Sequence, residues 1–167
     1  YGSPQKYFCF FGARAVSDGG IIEIGATDKI QTNCFNPIIV KINACGEKEW
    51  CRIYNSPNCN SSGLDIELAP DNGYIALMDQ WHANEHELIW LFHLDSVGGI
   101  IWAQKYATSS AFWSESCSSL IRTYDSCFLI TGEAYYPDPT YPGKKIIKIL
   151  LIKVALDGTP IFELPWG

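Results

Sequence analysis

Asp18-Gly19-Gly20-Ile21-Ile22 recurs as Asp71-Asn72-Gly73-Tyr74-Ile75 and again as Asp125-Ser126-Cys127-Phe128-Leu129, at spacings of 53 and 54 residues. Further along each copy, Lys41-Ile42 corresponds to His93-Leu94 and Lys153-Val154. Gly46 corresponds to Gly98 and Gly158, and Trp50 to Trp102 and Phe162; these later landmarks share offsets of 52 and 60. Landmarks that move together in order mark an internal repeat, and a period near fifty residues points to a stacked array of small units. The third copy is longer because of one insertion between its second and third strands.

Each copy reads as four short strands. In the first they are expected over residues 12–17, 21–27, 37–43 and 49–54, rich in β-branched or aromatic residues and bounded by Gly, Asp, Asn or Pro. Asp-Gly-Gly and Asp-Asn-Gly supply the positive φ angles of a tight hairpin. The third strand is apolar almost without alternation, as in Ile38-Ile39-Val40, 88–92 and 149–152. A strand covered on both faces gives that pattern, whereas a helix needs a longer run. The fold class expected is therefore all-β: three four-stranded antiparallel blades of a β-propeller, with repeat units at about 1–53, 54–105 and 106–167.

Tyr1 aligns with the end of a fourth strand, and Trp166-Gly167 aligns with Tyr54-Asn55. Three units fall short of the four to eight blades that close a ring. The expectation is a segment of a longer propeller chain, with assembly of copies into a homo-oligomer as the alternative.

Composition narrows the partners. Of 167 residues 47% are apolar and 18% charged, and the net charge is -6. An acidic chain without clustered Lys and Arg argues against nucleic acid. The longest apolar run, 145–156, is broken by Lys148 and Lys153, so no membrane-spanning segment is expected. No charged start leads into an apolar stretch, so a signal peptide is expected to be absent or removed. Seven cysteines (9, 34, 45, 51, 59, 117 and 127) form no C-x-x-C pair. That usage favours an oxidising compartment and disulfides, with an odd thiol left over; buried cysteines acting as small hydrophobes are the simpler reading.

The unit resembles the tandem propeller repeats of large secreted and cell-surface proteins of Bacteroidetes, many exported by the type IX secretion route. The pieces carrying the resemblance are Ser17-Asp18-Gly19-Gly20, Ile39-Val40-Lys41-Ile42-Asn43-Ala44-Cys45-Gly46-Glu47-Lys48-Glu49-Trp50 and Leu94-Asp95-Ser96-Val97-Gly98-Gly99-Ile100-Ile101-Trp102. The resemblance implies an extracellular or outer-surface location and brings no catalytic residue with it. It also makes Ser96, within Asp95-Ser96-Val97, a weak candidate for O-glycosylation; a simple turn is the alternative. Asn60-Ser61-Ser62 is a formal N-glycosylation sequon, relevant to a eukaryotic source only.

Catalytic signatures are sparse. His82-Ala83-Asn84-Glu85-His86 spells H-x-x-E-H, a zinc motif that works on a helix. Here it falls in a loop, so His82 and His86 are weak metal candidates and a solvated loop tip is the main reading. Glu23, Asp65, Glu67 and Glu133 sit on strands with nothing to single out a catalytic pair. No nucleophile elbow, P-loop or dinucleotide fingerprint is present, and neither an enzyme nor a cofactor is expected. Aromatics gather instead where the loops joining second to third strands, and fourth to first, emerge on one face. Phe35, Trp81, Tyr135, Tyr136, Tyr141 and Trp113 are the candidate binding residues, with Tyr7, Phe8 and Phe112 beside them. Rigid aromatics bind protein partners or sugar rings at low entropic cost; the competing reading is that they cover the core. The expected role is a non-catalytic extracellular scaffold for adhesion or protein–protein interaction. A glycan-binding module, or part of a larger polysaccharide-acting enzyme, is the alternative.

Overall fold

A computed structural model describes residues 7–28, 35–55, 60–81, 88–106 and 114–166. Its strands are β1 (Phe8–Ala15), β2 (Ile21–Asp28), β3 (Phe35–Ile42), β4 (Lys48–Ile53), β5 (Asn60–Leu68), β6 (Tyr74–Trp81), β7 (Leu88–Leu94), β8 (Ile100–Tyr106), β9 (Ser114–Arg122), β10 (Phe128–Pro137), β11 (Lys145–Val154) and β12 (Pro160–Trp166). They form three separate antiparallel sheets in sequence order, β1–β4, β5–β8 and β9–β12. Each sheet takes one copy of the repeat and forms a propeller-like blade, and the three do not close into a ring. Among the described residues there is no helix long and apolar enough to cross a membrane.

The first strand sits earlier than expected. Val16 donates to the Gly20 carbonyl and Gly19 to the Val16 carbonyl, so the turn absorbs Val16 and Ser17 and the strand ends at Ala15. The strand instead extends back beyond Gly12 through a bulge at Phe11, where pairing skips from Phe10↔Gly25 to Gly12↔Ile24. The same bulge recurs at Leu64 in β5 and Ser118 in β9. A second set recurs at Glu49, Ile101 and Ile161 in the outer strands. A bulge bends its strand and increases local twist. Six bulges in matching places therefore give the three sheets one shape, which is what lets them stack. The third-unit insertion lengthens the hairpin more than the loop: β10 and β11 pair continuously out to Pro137↔Lys145.

The stacking is directional. β5 packs across β1, β2 and β3, and β9 packs across β5, β6 and β7. Between the first two sheets lie Ile22, Ile24, Ile39, Ile66, Met78 and Leu94. Between the second and third lie Ile75, Leu77, Leu91, Phe128, Ile130 and Ile152. Both faces of the middle sheet are thus buried, which explains the unbroken apolar run over 89–92. Burial of one such aliphatic side chain stabilises by about 1.5–3 kcal/mol, so the interfaces dominate the fold.

A repeated contact at the rim joins neighbouring blades. The Tyr54 hydroxyl donates to the Gly98 carbonyl at 2.9 Å, and the Tyr106 hydroxyl donates to the Gly158 carbonyl at 2.5 Å. Four residues before each tyrosine, Trp50 and Trp102 lie over the same glycines, and the Trp102 indole donates to the Leu156 carbonyl at 3.1 Å. Gly98 and Gly158 have φ of +79° and +85°, so both the left-handed backbone and the covering indole exclude a side chain.

The expectation of disulfides is not met among the described residues: Cys9, Cys45, Cys51, Cys117 and Cys127 form none. Cys34 and Cys59 lie outside the described residues. Cys9 on β1 and Cys51 on β4 are separated by two intervening strands. At about 4.8 Å per strand, that is beyond disulfide reach. Cys117 is buried in the core, where it packs as a small hydrophobe.

Gly46 is the first-sheet counterpart of Gly98, with φ +82° and no atom within 4 Å of a would-be Cβ. Gly46→Ala is expected to cost roughly 1–2 kcal/mol in denaturant unfolding, from the left-handed backbone alone. Gly98→Ala is expected to cost about 1 kcal/mol more, because its Cβ meets Trp50 and Arg52. Equal losses at the two sites would show that the indole contact is absent in solution.

Candidate functional site

The repeat places an aspartate at each turn joining first and second strands. Asp18 accepts from the Gly20 amide at 2.7 Å and Asp71 from the Gly73 amide at 3.1 Å, so each organises its own turn. The third strand of the same sheet then supplies a basic side chain. Lys41 Nζ lies 2.8 Å from Asp18 and 3.0 Å from Glu49. His93 Nε2 lies 3.0 Å from Asp71, and Lys153 Nζ meets Asp125 at 2.5 Å. Lys41 is almost fully buried. Burial alone would lower its pKa, but Asp18 and Glu49 outweigh this and hold it above its ordinary value. The Lys153 ammonium, together with the Thr123 hydroxyl, holds the Asp125 carboxyl well below the usual range.

The three innermost strands meet at a second polar cluster. Arg14 on β1 pairs with Glu67 at 2.9 Å and Asp65 at 3.1 Å, both on β5. Asp65 in turn accepts from the Leu120 amide of β9 at 2.9 Å and the Ser119 hydroxyl at 3.2 Å. One buried carboxylate thus ties all three blades together. Asp65 and Glu67 neutralise a guanidinium, the reverse of the unpaired facing arrangement that glycoside hydrolysis needs. Among the described residues no three His, Cys, Asp or Glu side chains gather to hold a metal.

The sequence-selected aromatics are dispersed. Phe35 is half-buried at the start of β3, its ring edge-on to Tyr7 at 6.0 Å. Tyr135 and Tyr136 are strand residues, paired with Ile147 and Ile146. The Tyr135 hydroxyl donates to Glu133 at 2.6 Å, with Lys145 over its ring. Tyr136 packs against the core, with Lys148 over its ring. Tyr141 is 57% exposed in the turn between β10 and β11, with Lys144 4.8 Å above its ring. Trp81 closes β6, where its backbone pairs with Asn60. Trp113, Phe112, His82 and His86 lie outside the described residues. Ser96 stands exposed in a turn built by Asp95, which accepts from the Val97 and Gly99 amides.

A groove that sequence reading missed runs between the first two sheets, at the end where second and third strands are joined. It encloses about 420 Å³ and is lined by Tyr54, Met78, Asp79, Gln80, Trp90 and Phe92, among others. That volume lies within the range of small-ligand and side-chain pockets. The Trp90 indole donates to Gln80 at 2.9 Å and stacks on Phe92, with ring centroids 5.8 Å apart. Lys105 lies 4.8 Å over its ring, and Tyr54 leans on Phe92 at 5.9 Å. Leu150 and Ile152, the third-sheet counterparts of Trp90 and Phe92, are fully buried. The sequence signal was therefore present: unit two alone carries large rings where the third unit carries aliphatics.

No protein-family model matches the sequence, and no curated protein matches it. Among solved structures, the chain is similar to a crystal structure of a protein of unknown function from Bacteroides caccae. The identity is 8% and the TM-score 0.48, over 94% of this chain and 61% of that one. The chain thus spans about three-fifths of the length of that protein.

The ionic contacts set two pH limits. Asp18, Asp71 and Asp125 all have lowered pKa values, so the stability they add is present above the unfolded value near 3.9. It is lost as pH falls from about 4 through the lower native values. Burial pushes Tyr106 up to about 12, so its contribution is lost as pH rises from about 10 to about 12. Lys41 and Lys153, also raised, act in the same alkaline direction. Urea midpoints against pH are expected to form a plateau with both shoulders, and Asp125→Asn to shallow the acid one. An unchanged acid limb in that variant would contradict the pairing with Lys153.

Proposed function

We propose that this chain is a non-catalytic scaffold of propeller-like blades acting outside the cell in adhesion or protein–protein contact. Its partner sits at the end of the blades where second and third strands join. The groove between the first two sheets carries this reading. Its aromatic floor of Trp90, Phe92 and Tyr54 is edged by Asp79 and Gln80, which suits a partner side chain with an apolar body and a polar tip. The described ionic groups support a structural assignment, since Arg14, Lys41, His93 and Lys153 each face a carboxylate within or between blades. The extracellular setting rests on the resemblance of the repeats to those of secreted and surface proteins.

A glycan is the second reading, favoured by the same floor, because a flat indole beside a carboxylate and an amide also suits a sugar ring. Peptides selected from a displayed library against the chain are expected to lose about tenfold or more in affinity on Trp90→Ala. Tyr141→Ala would weaken those that also reach the β10–β11 hairpin. Binders indifferent to both substitutions would contradict the proposed face. A glycan array that lights up, and goes dark with Trp90→Ala, would move the assignment to sugar.

A further inference from the structure

The middle sheet shows what each face of a blade is built to meet. The face it turns to the third sheet carries Ile75, Leu77, Ile89 and Leu91, all fully buried. The face it turns to the first carries Tyr74, Ala76 and Leu94, also buried. The register assigns the same positions in the outer sheets. Ile149 pairs with Trp166 as Ile89 pairs with Tyr106, yet Ile149 is 60% exposed where Ile89 is 0%. Around it Leu164, Phe162 and Ile147 are also exposed. On the opposite side, Ile21 is 43% exposed where its counterparts Tyr74 and Phe128 are 3% and 0%. Beside Ile21 runs a groove of about 270 Å³ lined by Phe10, Glu23, Ile38, Val40, Ile42 and Ile53, among others.

The rim contact is divided the same way. The first sheet presents the receiving half, a left-handed glycine at Gly46 with open space where Trp50 covers Gly98. The third presents the covering half, with Phe162 exposed at the position of Trp50 and Trp102. Two contiguous apolar faces of this kind mark an interaction surface. They are not alike. One repeats what blades offer forward, the other what blades accept from behind, and the two internal interfaces show that these halves fit.

We propose that the outer face of the third sheet docks on the outer face of the first sheet of a second copy of this chain. Two copies so joined satisfy both faces of each, because head-to-tail contacts related by a twofold axis close on themselves. The resulting ring has six blades, within the range that closes. The occupant is a copy of this chain, since each exposed face continues an interface the chain already makes twice.

Sedimentation equilibrium of the 167-residue chain, across about 1 to 100 μM, tests this. The expected mass is twice the 18.7 kDa of one chain. Ile149→Arg and Ile21→Arg alter exposed positions, and circular dichroism confirms that each still folds. Each variant alone is expected to be monomeric. An equimolar mixture is expected to recover a one-to-one dimer, because one intact face of each kind remains. A monomeric wild-type chain would overturn the proposal and assign the faces to another blade or a different protein. A dimer that survives either single variant would overturn it too, by showing like faces paired.

Discussion

Apolar burial between adjacent sheets is the constraint on which the rest of the structure depends. A four-stranded antiparallel sheet of this length has two faces and cannot cover either one itself. Here the middle sheet is covered on both sides, and the outer sheets on one each. Stability in such an array is a sum of unit terms and nearest-neighbour terms, and the neighbour terms are large. The recurrent bulges make the sheets congruent. The tyrosine and tryptophan contacts to Gly98 and Gly158 then fix how far one blade rotates on the next.

The polar groups follow from the same constraint. A turn aspartate and a basic third-strand side chain recur in every unit, so the landmarks that reveal the repeat are also the groups that hold its turns. Lys41 and His93 are buried, and each lies against the aspartate of its own turn, so neither polar head is left without a carboxylate beside it. Arg14, Asp65 and Glu67 break the repeat, since the corresponding first-strand positions do not all carry charge. They bind three inner strands through one cluster, a non-repetitive contact that links all three blades.

Much of the fold was legible because its signals are local. Turn residues, periodicity and the offsets of Gly46, Gly98 and Gly158 fix strand number and pairing from neighbouring residues alone. The early end of β1 was not legible, because Val16 reads as a strand residue until its amide is seen closing the turn. Nor was the fate of Tyr135 and Tyr136 legible. An insertion with three prolines reads as a loop, whereas the pairing to Ile146 and Ile147 carries the hairpin outward. The rings of Trp90 and Phe92 stand out in unit two, but the groove they line could not be read from one unit. It lies between two units, and only the relative placement of Tyr54, Gln80 and Phe92 creates it. The cysteine count suggested covalent links, but for Cys9 and Cys51 the sheet order decided the matter.

Amide hydrogen exchange on the dilute chain, resolved by strand, tests the nearest-neighbour account most directly. Protection is expected to be greatest in β6 and β7, which are covered on both faces. It should fall in β2 and β3 and in β10 and β11, covered on one face, and be least in β4 and β12. Protection in β2, β3, β10 and β11 that equals or exceeds that of β6 and β7 would contradict the account, because it would show that each sheet is stable without its neighbour.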